Sequence, residues 1–355
     1  LGTDGDPLHH FSALFYPRPD GGCDQMTGAG PAVLENDILR VEVSWMVGGS
    51  ITSILHKPLG AQILGCVPWD PVAVPEPGFA ARDEQIWLTR FTGGWPLMFP
   101  NAGDACVSDG LFHGFHGEAS VSPWQVCVTP DRIRLTRRFF GVPVRMTREL
   151  TLAGDVLCLH ETALSDGPSP VRVIWGQHVT FGSDLVAAPV IIETGAQRIV
   201  VDDSYDPTAN RWLPGATGTW PIIDGKSGPQ DLSHPQAPCA SLAYLTNFTS
   251  KFVAIRRIDG AVGAVLSWQG EVYDCLWYWC ELGGTSSAPW HGRARLIGLE
   301  PCSTWPGRGL TESLQSGARL IELVPGVPMT ASIRLQVFQP DGPVKGIDVA
   351  GRAHA

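Results

Sequence analysis

The stretch VRMTRELTLAGDVLCLHETAL, residues 144–164, holds two runs, Val144 to Leu152 and Val156 to Leu164, in which apolar side chains recur at about every second position. That period is the signature of a half-buried strand, because successive side chains of an extended chain point to opposite faces. Working outward, the same reading predicts strands over Ile38 to Val43, Arg132 to Phe139, Val171 to Phe181, Val190 to Glu193, Lys251 to Ile258, Ala261 to Trp268, Arg295 to Glu300, Arg319 to Val324 and Met329 to Phe338. Gly (41) and Pro (30) make up a fifth of the 355 residues, which suits many short strands joined by tight turns. No amphipathic helix longer than a few turns stands out. The expectation is all-β: one large antiparallel sandwich spanning 1–355, with 1–32 as an N-terminal extension.

Composition narrows the function. A formal charge of −10 and the lack of any Lys/Arg-rich run oppose binding to nucleic acid or to an anionic membrane surface. No segment approaches the roughly 18 uninterrupted apolar residues of a membrane span, and residues 1–10 lack the pattern of an export signal, so a cytoplasmic protein is expected. Nine cysteines with no CxxC spacing suggest reduced, mostly buried thiols rather than a disulfide framework or a zinc ribbon. Oligomeric state is left open.

Chemistry concentrates in three places. The first runs from Arg90 through Gly93, Gly94, Trp95, Asn101, His113 and His116 to Glu118; glycines admit a ligand close to the backbone, Trp offers a flat face, and His exchanges protons near neutrality. The second is Trp175-Gly176-Gln177-His178-Val179-Thr180-Phe181, where alternation puts His178 on one face with Gly176 and Thr180. A histidine in an apolar strand is otherwise an ordinary satisfied core residue. The third is Leu296 to Pro301, a strand ending in Glu300; burial would raise this carboxyl into the range of a general base, the bland alternative being an ion pair with Arg293 or Arg295. Long loops are expected at Gly65 to Glu84, Asn101 to Phe115 and Asp202 to Pro238.

Gly-Gly-Trp-Pro with Phe-Pro-Asn, His-Gly followed by Trp124, Gly-Gln-His with Phe181 and Leu-Glu-Pro, in that order, resemble the aldose-1-epimerase (galactose mutarotase-like) family over most of the chain. The resemblance extends to Leu34-Glu35-Asn36-Asp37 and Gly48-Gly49-Ser50-Ile51. It implies a β-supersandwich with a sugar-facing cleft, an isomerase of free sugars, and no metal or organic cofactor. Matched position by position, it implies His116, His178 and Glu300 as catalytic residues, with Glu300 as base and His178 as acid. Arg90, Trp95, Asn101, His113, Glu118, Gln177, Trp279 and Glu281 are the expected contacts to a small carbohydrate. The pattern departs where Glu118 stands for a glycine, where His113-Gly114 offers a competing alignment to His116-Gly117, and where the family's substrate-binding aspartate has no counterpart. On the preferred alignment Glu118 begins a strand leading to Trp124.

Three alternatives stand beside this expectation. Arg82, Arg90 and Arg295 could receive a phosphorylated or acidic sugar. His113, His116, Glu118 and His178 could hold a transition metal. Thirteen tryptophans would also suit a non-catalytic carbohydrate-binding domain.

Overall fold

A computed structural model describes residues 30–72 and 81–354. Most of the expected extension 1–32, and the middle of the expected loop Gly65 to Glu84, therefore lie outside the described residues. Among the described residues the strands gather into a sixteen-stranded sheet, a four-stranded sheet and three two-stranded pairs, every strand pair antiparallel. The all-β antiparallel sandwich expected from the sequence is the observed fold.

The opening stretch forms a hairpin: Val144–Ala153 pairs with Val156–Ser165, Thr147 facing Thr162. Its inward residues Val144, Met146, Leu150, Leu157 and Leu159 all lie in the main core. Beyond the hairpin the sheet continues through Met329–Phe338, Gly263–Gln269 and Cys239–Arg257 to Val190–Val201. The four-stranded sheet is an N-terminal meander whose Leu39, Val41 and Val43 join the same core.

Cys239–Arg257, nineteen residues long, divides the large sheet. Its second half, Phe252 to Arg256, pairs with Gly263–Gln269, whereas its first half, Cys239 to Leu245, pairs with Cys275–Leu282. That branch continues to Arg295–Cys302 and then to two short strands, Gly176–Gln177 and Thr180–Phe181. The branch carries the second and third of the three places singled out above, together with Trp279 and Glu281.

Several local expectations are corrected. Val171 to Phe181 is not one strand: Val171–Val173 pairs with Ile321–Leu323, while the later pieces turn to Arg295–Cys302, because consecutive segments find different partners. The stretch Asp202 to Pro238 is not all loop but holds strands Thr217–Thr219, Ile222–Gly225 and Gly228–Asp231 at the sheet edge. Glu118 does not begin a strand; Glu118–Ser120 is a 3-10 turn, fixed by Glu118 carboxylate bonds to the backbone N–H groups of Phe140 and Gly141. Cys127 is disulfide-bonded, against the expectation of uniformly reduced thiols, since alternation along its strand carries no information on a thiol's partner. Among the described residues no helix is long and apolar enough to cross a membrane.

A buried polar network lies under the branch. Arg148 Nε and Glu161 Oε1 meet at 2.7 Å with both side chains essentially inaccessible. Glu161 Oε2 also accepts from Trp175 Nε1 (2.8 Å), Gln177 Nε2 (2.8 Å) and the Tyr273 hydroxyl (2.9 Å). Gln177 Oε1 in turn accepts from Trp95 Nε1 at 2.8 Å. A carboxylate buried among apolar side chains is tolerated only when its lone pairs are filled in this way.

Candidate active site

Antiparallel register builds the centre of the site. Gly176 faces Cys302 and Thr180 faces Gly298, which sets His178, midway between, opposite Glu300. Leu299 N donates to Val179 O at 3.0 Å and His178 N to Pro96 O at 3.0 Å, so the backbone around His178 is held on both sides. His178 Nε2 lies 3.6 Å from Glu300 Oε1. On the other edge Glu300 faces Trp277, and Trp279 faces Gly298. A methyl group at Gly298 would come within 2.2 Å of Glu300 Oε1, so the missing side chain is the space into which the carboxyl folds.

His116 arrives from a different part of the chain. Its φ of 56° lies in the left-handed region, and the turn is fixed by two bonds to Gly103: His116 N donates to Gly103 O, and Gly103 N donates to His116 Nδ1, both at 3.0 Å. A backbone N–H pointing at Nδ1 leaves the proton of the neutral ring on Nε2. The His116 and His178 rings are 5.2 Å apart between centroids.

Aromatic side chains wall this group. The short helix Glu84–Leu88, capped by Asp83 through a 2.9 Å bond from Ile86 N, presents Trp87 at 4.8 Å from His116 and 5.4 Å from His178. Phe91 stands 5.2 Å from His178 and Phe115 4.1 Å from His116. Trp279, half-buried, is 6.1 Å from His178. The side chains within the wall are buried, and burial sets their charge states. Burial, followed by the neighbouring His178, holds His116 well below the usual histidine range, and burial lowers His178 to about 4. Burial, followed by Cys302, pushes Glu300 well above the usual carboxylate range. Neither Arg293 nor Arg295 pairs with Glu300; among the described residues His178 is the one basic side chain within 4 Å of its carboxyl, and burial disfavours the charged form of both.

The remaining expected contacts divide. Trp279 borders the site. Arg90 follows the helix, half-buried, its N–H bonded to Trp87 O. Trp95 and Gln177 are fully buried and bonded to each other within the network below. Asn101 is fully buried and spends its amide on Asp104 O, Gly114 O and Leu310 N, tying the loop that carries His116. Glu118 pairs with Arg137 at 2.6 Å, and His113 lies beside it near Gly141. Glu281 closes a turn by accepting from Gly284 N, Thr285 N and the Thr285 hydroxyl. Of the arginines considered for an anion, Arg82 is largely exposed beside Asp83 and Arg295 is exposed. Among the described residues no cluster of three metal-ligating side chains forms.

Sequence reading missed Trp87, Phe91 and Phe115, the aromatic wall. The helix bearing Trp87 has five residues, too few to show a period, although Asp83 three residues before Ile86 is a capping signal. Two carboxyls stand nearby in the chain, Glu84 on the helix of Trp87 and Asp104 next to Gly103. Both are accessible, yet surrounding protein raises each carboxyl, with Asp104 adding to the effect on Glu84.

Comparison with solved structures gives the architecture a relationship. A protein from Synechocystis sp. PCC 6803 superposes with a TM-score of 0.62 at 18% identity, covering 91% of this chain and 99% of its own. A protein from Escherichia coli K12, provisionally named an aldose 1-epimerase, gives 0.62 at 18% identity over 88% and 100%. A galactose mutarotase related enzyme from Lactobacillus acidophilus gives 0.59 at 13% identity over 88% and 98%. The fold is the galactose mutarotase-like sandwich. No protein-family model and no curated protein matches the sequence, so the likeness is carried by the mutarotase-like architecture.

Proposed function

We propose that this chain is a cofactor-independent aldose 1-epimerase-like isomerase that interconverts the anomers of a free sugar. The observation that carries the reading is the pair His178, in the link between Gly176–Gln177 and Thr180–Phe181, and Glu300, on the strand beside it, 3.6 Å apart, with His116 next to them inside an aromatic wall. Ring opening needs a base at the anomeric hydroxyl and a proton source at the ring oxygen of the same carbon, and two such groups a few ångströms apart meet that need.

Glu300 takes the proton of the anomeric hydroxyl. As the bond between the anomeric carbon and the ring oxygen breaks, its electron pair goes to the ring oxygen, which is met by the proton on His178. Glu300 now holds a proton and His178 lacks one, the states that reclosure uses: Glu300 returns its proton to the carbonyl oxygen while His178 takes back that of the new hydroxyl, which restores both groups. Rotation about the first carbon–carbon bond and the reverse sequence give the other anomer. His116, with its ring proton on Nε2, donates to the ring oxygen or a neighbouring hydroxyl, and the half-buried Trp279 offers a face to the sugar's C–H surface. Arg82 lies exposed beside Asp83, Arg295 is exposed, and neither pairs with Glu300, which favours a neutral sugar over a phosphorylated one.

The test is the anomeric exchange rate, read by saturation-transfer NMR on a panel of neutral hexoses, pentoses, deoxysugars, uronic acids and sugar phosphates. Acceleration of a neutral sugar supports the reading. Acceleration confined to phosphates overturns the choice of substrate, and binding without acceleration of any member favours a carbohydrate-binding domain.

A further inference from the structure

His116 has its tautomer set by a backbone N–H, but His178 does not. Its Nδ1 faces a group that can either give or take a proton, the Thr180 hydroxyl, at 3.0 Å. Thr180 sits two residues on, on the same face of the chain, and is fully buried. Its backbone is already engaged: Thr180 N donates to Gly94 O and Thr180 O accepts from Gly65 N, both at 2.9 Å. The hydroxyl is therefore free to serve the ring alone.

The direction of that bond follows from counting protons. Were His178 protonated on Nδ1, the Thr180 oxygen would accept, and its own hydrogen would be left buried without an acceptor. With Nδ1 unprotonated, the hydroxyl donates to it, and the hydrogen left without a protein acceptor is the one on Nε2, turned toward Glu300 Oε1 at 3.6 Å, on a ring less deeply buried than the Thr180 hydroxyl. Among the described residues Nδ1 of His178 is the one acceptor that the Thr180 hydroxyl reaches. Leaving the more deeply buried donor without an acceptor is the costlier arrangement, so the second wins.

We propose that Thr180 is a positioning residue that holds neutral His178 as its Nε2–H tautomer, aiming the ring N–H into the gap toward Glu300. His178 then meets the ring oxygen as a neutral imidazole donor rather than as an imidazolium, a mode available to a histidine buried beyond easy protonation. Both histidines thus turn the same nitrogen, with its proton, to the cleft. The assignment of the tautomer stands on the bond itself; its effect on turnover rests on the reading given above.

The decisive measurement is the ring 15N spectrum of the histidines near neutral pH, with His178 assigned by its loss in His178→Gln. Wild type is expected to show a protonated-type Nε2 and an unprotonated-type Nδ1 for His178. Thr180→Val, which keeps the shape of the side chain but removes the hydroxyl, is expected to shift the ring toward Nδ1–H and to slow anomeric exchange on the order of 10²-fold. Thr180→Ser is expected to restore both. An Nδ1–H ring in wild type, or an unchanged ring in Thr180→Val, overturns the proposal. If the valine variant fails to fold, the wild-type spectrum still decides. An Nε2–H ring in a protein that accelerates no sugar would leave this assignment standing while the proposed activity fell.

Discussion

His178, in the two-residue link between Gly176–Gln177 and Thr180–Phe181, stands opposite Glu300 of the neighbouring antiparallel strand, with Nε2 and Oε1 3.6 Å apart. Register alone achieves this, because Gly176 opposite Cys302 and Thr180 opposite Gly298 leave no other partner for His178. The separation is too long for a hydrogen bond and right for two groups that converge on one substrate carbon. Burial acts on both in the same direction, disfavouring charge: the imidazole resists a proton and the carboxyl resists losing one.

Glu300→Gln removes the proposed base while keeping the shape. Anomeric exchange is expected to fall by about 10²- to 10⁴-fold. Stability is expected to rise at neutral pH. Because Glu300's folded pKa is raised, the folded state holds the proton more tightly, so its favourable contribution exists below the ordinary carboxylate pKa and is lost as pH rises toward the folded value. The glutamine variant escapes that loss. Urea midpoints at neutral pH and near pH 5 check this; an advantage for the variant that is no larger at neutral pH would contradict it.

His178 has the opposite sign. Its folded pKa of about 4 lies below the ordinary 6.5, so its contribution is present above 6.5 and is lost as pH falls through this window. The unfolded chain gains the proton first. By pH 4 the loss amounts to on the order of 3 kcal/mol. His178→Gln is expected to flatten part of the acid decline, the rest belonging to His116 and the carboxylates. Parallel denaturation curves of variant and wild type over that range would show instead that His178 is not buried in its neutral form.

How much of this was legible in the sequence depends on whether information is local. Period two in Val144 to Leu164 is a property of one strand and its own turn, and the hairpin it predicted is the one observed. The interruption of Val171 to Phe181 was not legible, because Val173 and Thr180 pair with strands more than a hundred residues away. Likewise Glu118, Asn101 and Glu281 are chemically suited to a sugar, yet each finds enough N–H groups within the protein to be fully employed. A polar side chain's type says what it can bind, and only its distant neighbours say whether it is still free. The aromatic wall was invisible for the same reason: Trp87 and Phe91 are close in sequence, but His116 and His178 are not.

The network beneath the site is expected to be structural. Glu161→Ala strands Arg148, Trp175, Gln177 and Tyr273 without their acceptor and leaves a buried cation unpaired. The cost should be about 3–5 kcal/mol, read from urea unfolding. A joint Arg148→Met, Glu161→Leu replacement should recover part of it, since an apolar pair of similar volume needs no partner. Equal losses in the single and joint variants would mean that packing rather than charge explains the effect.

Gly298→Ala separates chemistry from folding. The new methyl group would lie 2.2 Å from Glu300 Oε1 and 3.2 Å from Trp279 Cε3, whereas the backbone at Gly298 needs no left-handed angle. The nearest obstacle is the movable end of a side chain, so the fold can yield by turning the carboxyl out of place. Displacing a catalytic group by about 1 Å costs on the order of 10²-fold in rate. The expected result is a variant with a melting temperature close to wild type and anomeric exchange slowed to that extent, mainly in kcat. Full activity in Gly298→Ala would mean that Glu300 does not work from the position next to His178, and the proposed base would have to be sought at another carboxyl.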